Sequence, residues 1–302
     1  MKSRKLVGFT SLFLTAAIFG SFGIWIRLLS KELGTYQQIV FRNLFALLFA
    51  LLFIFLSKLN FKKVAAVSKL RLIAFTLIVP LVVILYVFAI LNAKISVVTF
   101  AFYAGTMAAS WILGMIVFKE KINKTGLISL FLVLIGLMFL GYPFSLSTLN
   151  FGFLIAFAGG VLDSIGHVLR KGFGEKVDKF ILVFLTAVGG ILVSGAMIIF
   201  SKDALNFFPQ ISSTGWIIGG IFGFSLVAVN YLLLQGFQNF ALSLGSIVLV
   251  AELFFATVFG MIFLKEFPTR MELIGGIFIL VASVLPNLGG LFKSSTVSKS
   301  NI

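Results

Sequence analysis

Ten stretches of almost unbroken apolar sequence run along this chain, separated by short polar or charged interruptions: 7–28, 36–56, 71–91, 95–118, 125–142, 151–170, 180–200, 215–236, 243–264 and 271–291. Each has roughly the 17 to 25 residues that an α-helix needs to cross about 30 Å of hydrocarbon. Most connectors are only a few residues long, so consecutive helices are expected to pack as antiparallel neighbours. The longest, 57–70 and 201–214, are too short for a separate soluble domain, and the tail from Lys293 to Ile302 reads as a solvated end. The first run follows the charged Met1-Lys2-Ser3-Arg4-Lys5 and continues to about Leu28 without a small-residue cleavage site. It reads as a first spanning helix and not as a removable signal peptide.

The pattern is written twice. Gly114-Met115-Ile116-Val117-Phe118-Lys119-Glu120 returns as Gly260-Met261-Ile262-Phe263-Leu264-Lys265-Glu266, each copy closing one apolar segment and preceding another. Tyr86 falls opposite Tyr231, and Ser21-Phe22-Gly23 with Arg27 resembles Ser164-Ile165-Gly166 with Arg170, at nearly the same offset. The reading is two homologous halves, 1–146 and 147–292, followed by the tail 293–302.

Composition turns the apolar runs into a class. With 60% hydrophobic and 11% charged residues, the chain carries less than half the charge of an ordinary soluble domain. Its mean hydropathy is +1.17. The expectation is an integral, multi-pass protein of a bacterial-type inner or plasma membrane, with the lipid bilayer as its surroundings. A net charge of +15 raises the question of nucleic acid, but the basic residues sit in gaps between apolar runs instead of along one polar face. No nucleic-acid partner is expected. With the N-terminus inside, seventeen of the 24 lysines and arginines fall on the cytoplasmic side, and Arg27, Lys31, Lys94, Lys202, Lys265 and Arg270 on the other. That bias predicts both termini cytoplasmic and an even number of crossings. Five crossings per half is odd, so the second half must enter the membrane in the opposite sense. The fold expected is all-α and polytopic, ten transmembrane helices as a 5+5 inverted repeat.

The five-plus-five arrangement, the Lys-Glu closing the fourth and ninth segments, Arg42 inside the second, and Ala251-Glu252-Leu253-Phe254 resemble the drug/metabolite transporter superfamily, in particular its EamA-type permeases. The resemblance covers nearly the whole chain. Met107 and Leu253 stand where that family commonly has a proline, which removes the reason to expect a kink at either place. The resemblance implies a secondary carrier for small organic metabolites, often an exporter.

Ionisable side chains inside the segments are the candidate site, because a charge at a helix centre costs on the order of 2.5–3.5 kcal/mol on insertion scales and needs a partner or a wet cavity. Asp163 and His167 are four residues apart and share a helix face. Such a pair could relay a proton or serve as a clamp between helices. Glu252 lies near the middle of segment nine where the first half has Thr106, and could take a cation, a proton or a substrate amine, or touch a neighbouring helix. Arg42 either pairs with a carboxylate or attracts an anionic group, and the family resemblance favours the structural role. Trp25, Tyr86, Tyr103, Trp111, Asn230, Tyr231 and Gln235 supply aromatic and hydrogen-bonding walls, although tyrosine and tryptophan also gather at membrane interfaces. Small-residue ridges at Gly215, Gly219 and Gly223, and at Ala101, Gly105 and Ala109, are expected to bring helices close together.

Other classes fit less well. The chain has no cysteine, hence no disulfide and no thiol chemistry. A single intramembrane aspartate cannot form an aspartyl dyad, no Gly-x-Ser-x-Gly elbow is present, and His167, Asp163 and Glu252 are a sparse set for a metal. No phosphate-binding Gly-x-x-x-x-Gly-Lys-Ser/Thr loop supports an ATP-driven pump. The expectation is a non-enzymatic carrier without cofactor or metal, working by alternating access and coupled to a substrate or proton gradient. Its substrate would be an amino acid or related amphipathic metabolite, moved outward. Uptake or exchange of a nucleotide-derived or other charged metabolite is the alternative within transport, and a membrane receptor or assembly subunit the alternative outside it.

Overall fold

The computed structural model describes residues 2–57, 67–92, 95–121, 123, 124–140, 151–174, 177–200, 210–265 and 267–295. Every regular element among them is a helix. In chain order these are α1 (Lys2–Leu29), α2 (Thr35–Leu56), α3 (Lys69–Asn92), α4 (Ile95–Phe118), α5 (Lys124–Leu140), α6 (Phe151–Phe173), α7 (Lys179–Phe200), α8 (Ser213–Asn239), α9 (Leu242–Leu249), α10 (Glu252–Leu264) and α11 (Arg270–Ser295). All ten apolar stretches of the sequence are helical, with α9 and α10 sharing one of them. Eight helices or helix pairs are long and apolar enough to cross a membrane, and α5 is a shorter apolar helix. Most of the connectors 57–70 and 201–214, the last residues of the tail, and Glu266 lie outside the described residues.

The outer surface is apolar. Leu48, Phe55, Phe131, Ile199, Phe200, Ile262 and Phe263 are all more than half exposed, which suits a surface solvated by lipid tails while the helices satisfy their own backbone groups. The interior is where small and polar residues collect. On α6 the buried face is Gly152, Ala156, Gly159, Gly160, Ser164, Gly166, His167, Arg170 and Phe173, a stripe that follows the helical period.

Helices of the two sequence halves interleave. The closest packing is α4 on α6, then α5 on α11, α1 on α8, α2 on α7 and α3 on α6, with α1 also against α10, α2 against α8, and α3 against α7. Glycines make the tightest of these approaches. A Cβ on Gly160 would run into the Phe102 carbonyl and the Thr106 amide of α4, and one on Gly105 into the Phe157 carbonyl of α6. Gly189 of α7 meets the Thr76 carbonyl of α3, the acceptor that Pro80 leaves without its helical N–H. On the other ridge Gly219 and Gly223 receive Phe41 and Phe45 of α2. The ridges therefore act as contact surfaces between helices, as expected of small residues in membranes.

One expectation fails. Segment nine is not a continuous helix: α9 stops at Leu249 and α10 starts at Glu252. Across the step Val250 N–H donates to Ile247 O, Ala251 N–H to Val248 O and Leu253 N–H to Val250 O, at 3.0–3.2 Å. These are three-residue bonds, a local 3₁₀ turn. No proline is needed, because β-branched Ile247, Val248 and Val250 lower the helical preference of the stretch and the tighter turn keeps its N–H groups bonded.

Candidate functional site

The interrupted span delivers Glu252 as the first residue of α10, where the positive end of that helix's dipole favours a carboxylate. Tyr103 of α4 donates its phenolic proton to Glu252 Oε2 at 2.5 Å. Tyr103 is buried, and Met107 and Trp111 pack in the same cluster with Val250 and Leu253. Tyr86 of α3 lies edge-on to Phe102, its hydroxyl 3.3 Å from Thr99 Oγ1. The Tyr103–Glu252 bond joins α4 of one sequence half to α10 of the other, and α6 packs on α4 and on α3.

Asp163 stands midway along α6 with its side chain 23% exposed. One turn on, His167 Nε2 is 3.3 Å from Asp163 Oδ2, within ion-pair range though off the line of a good hydrogen bond. Arg170 Nη1 lies 2.9 Å from His167 Nδ1. A guanidinium can only donate, so Nδ1 is the acceptor and the proton of the neutral ring sits on Nε2, facing the aspartate. A second proton on the ring would have to displace the Arg170 contact. The imidazole also stacks against Phe237 of α8 at 4.2 Å, and the Arg170 guanidinium lies 5.6 Å from the Phe75 ring centre of α3. Asp163, His167 and Arg170 at i, i+4 and i+7 thus form one polar line along α6, partly exposed at Asp163 and buried at His167 and Arg170. From sequence, Arg170 belongs to the topological charge bias and to the internal repeat, but not to the site candidates. Its spacing to Asp163 and His167 was the available signal, but closeness to the segment end hid it.

Other sequence candidates lie elsewhere. Arg42 is buried and packs over the Phe222 ring at 4.7 Å; its Nε has no partner, and among the described residues no carboxylate pairs with it. Trp25 donates to Ser21 Oγ within α1 and belongs to the cluster around Phe222. Asn230 bonds its own helix at Leu226 O. Tyr231 stacks on Phe180 beneath the Lys179 ammonium, and Lys179 also donates to Gln235. Thr106 likewise bonds within its helix, to Phe102 O, so it is no mirror of Glu252. Among the described residues no group of three His, Asp or Glu side chains could hold a metal.

Residues 150–288 match the model of the EamA-like transporter family. The match covers most of the second half of the chain. No curated protein matches the sequence. Among solved structures, one described only as a crystal structure of a protein superposes with a TM-score of 0.79, covering 95% of this chain and 98% of that one. At 13% identity this likeness concerns the fold alone, and it extends over both halves. The match and the apolar spans together support a multi-pass integral membrane protein, and the matched family is one of transporters.

Proposed function

We propose that this EamA-like protein is a secondary active carrier that exports a small amphipathic metabolite, an amino acid or a related compound, by alternating access. The observation that carries the reading is the Tyr103–Glu252 hydrogen bond between α4 and α10, one helix from each half, with Asp163 midway along α6, the helix that packs on α4. Two carboxylates beside tyrosine rings suit a substrate ammonium group, while the surrounding apolar wall suits its side chain. Between substrates Glu252 takes up a proton, so transport couples to the proton gradient. His167 and Arg170 hold Asp163 in place.

Support for a 5+5 inverted repeat comes from the packing. Exchange α1 to α5 with α6, α7, α8, the α9–α10 pair and α11, and the partners map onto one another: α1 on α8 becomes α6 on α3, and α2 on α8 becomes α7 on α3. Such a pair of halves exchanges conformations to open the site first to one side and then to the other. The lysine and arginine bias supports both termini being cytoplasmic.

A second reading, a carrier for a nucleotide-derived or other anionic metabolite, is favoured by Arg42, a buried cation that pairs with no acid among the described residues. Proteoliposome counterflow across a panel of amino acids, amines and nucleotide derivatives decides between them. Saturable counterflow of an amine-bearing compound, abolished in Glu252→Gln, is expected. Counterflow of anions alone that is sensitive to Arg42→Met favours the second reading, and no saturable flux in folded protein refutes both.

A further inference from the structure

The duplicated heptapeptide takes no part in the central site, and its first copy builds something of its own. Lys119 ends α4 in the left-handed conformation at φ 51°, and Glu120 N–H closes back onto Gly114 O at 3.0 Å. That reversal folds the Glu120 side chain over the helix end, where a Cβ on Gly114 would meet its Oε2 at 2.7 Å. The carboxylate then accepts from Lys171 Nζ at 2.5 Å, Leu242 N–H at 2.6 Å, Ser243 N–H at 3.0 Å and Ser243 Oγ–H at 2.7 Å. Lys171 also donates to Phe240 O and lies over the Phe118 ring. One carboxylate thus gathers the ends of α4, α6 and α8 onto the first turn of α9. Both oxygens are used, and three of the four partners hold α9 itself. The far end of α9, about 12 Å away at 1.5 Å per residue, is the 3₁₀ step leading into Glu252.

We propose that Glu120 is the latch of the cytoplasmic gate and that α9 is its arm, held at one end by the carboxylate and hinged at Val250-Ala251 beside the central site. Opening toward the cytoplasm separates α4 from α9, so it must break this set of charge-assisted bonds. Because hinge and Glu252 adjoin, a ligand that draws on Glu252 pulls on the same short helix that the latch restrains. The inference rests on the alternating-access reading. The second copy repeats the left-handed lysine, Lys265 at φ 57°, with its N–H on Gly260 O, but Glu266 lies outside the described residues and the proposal is confined to Glu120.

The test uses the full chain, free of native cysteine, with Asp163→Cys as a reporter at mid-depth. A membrane-impermeant maleimide is applied to the cytoplasmic face of inverted vesicles. Glu120→Gln is expected to raise the labelling rate roughly tenfold or more, the shift expected from losing charge-assisted hydrogen bonds. Lys171→Met, which leaves the α9 N–H groups capped, gives a smaller rise. Unchanged rates in both variants, each eluting as a single folded species, overturn the latch. If Glu120→Gln does not fold, Lys171→Met decides alone. Wild-type counterflow is measured in parallel. Its absence alongside faster labelling in the variants removes the carrier reading and leaves the latch standing.

Discussion

Tyr103 and Glu252 lie 149 positions apart in sequence and 2.5 Å apart at the hydrogen bond, and that one contact separates a structural role from a functional one. Hydrogen bonds between membrane helices average only about 0.6 kcal/mol and reach about 1.7. Tyr103→Phe should therefore cost about 1 kcal/mol or less of thermal stability in detergent. If the pair serves transport, the same change should lower counterflow at least tenfold and alter its pH profile. A large stability loss with unchanged flux would make the pair a helix clamp. Glu252, Asp163 and His167 were legible in the sequence because an ionisable side chain in an apolar run needs a reason. Arg170 was not, since its role depends on α6 continuing to Phe173 and burying the guanidinium near Phe75 of another helix. Arg42 was equally visible, yet only the folded chain leaves it without an acid among the described residues.

Among the elements, α6 and its glycines set how closely the halves meet. Gly160→Ala and Gly105→Ala each force a Cβ against the backbone of the facing helix, which cannot turn aside as a side chain can. Each is expected to lower stability by about 1–3 kcal/mol, the range for overpacking, read as a reduced midpoint in a thermal melt. Gly195→Ala on α7 is the control: nothing lies within 4 Å of its Cβ, so it should be neutral or gain up to about 1 kcal/mol from helix propensity. Glycine spacing along the chain announced a contact face but named no partner. The α9–α10 interruption was hidden for a related reason. A proline would have marked it, whereas a 3₁₀ step among β-branched residues leaves the apolar run unbroken.

At the scale of the whole molecule, charge and acid sensitivity provide the tests. Single cysteines at the exposed positions Lys31→Cys and Lys121→Cys should divide by side: in intact cells an impermeant thiol reagent should reach the first and not the second, and the reverse would invert the orientation. Partial burial pushes the Glu120 carboxyl upward, but the Lys171 ammonium, the Ser243 hydroxyl and the two N–H groups of α9 outweigh it and hold the group below the ordinary carboxylate range. Its stabilising contribution is therefore complete above the unfolded value of about 4.3 and is lost as pH falls through the lower folded value. The gap in melting midpoint between wild type and Glu120→Gln should narrow on acidification below about pH 4, and a constant gap would remove the carboxylate from the account. The apolar runs alone determined that this is a helical membrane protein and where nearly every span lies, because crossing hydrocarbon is a local demand on each stretch of about twenty residues. Which helices meet, where a span breaks, which acid finds a tyrosine and which ring lies beneath Arg42 were decided only by the tertiary structure, since those partners lie far apart along the chain and come together through packing.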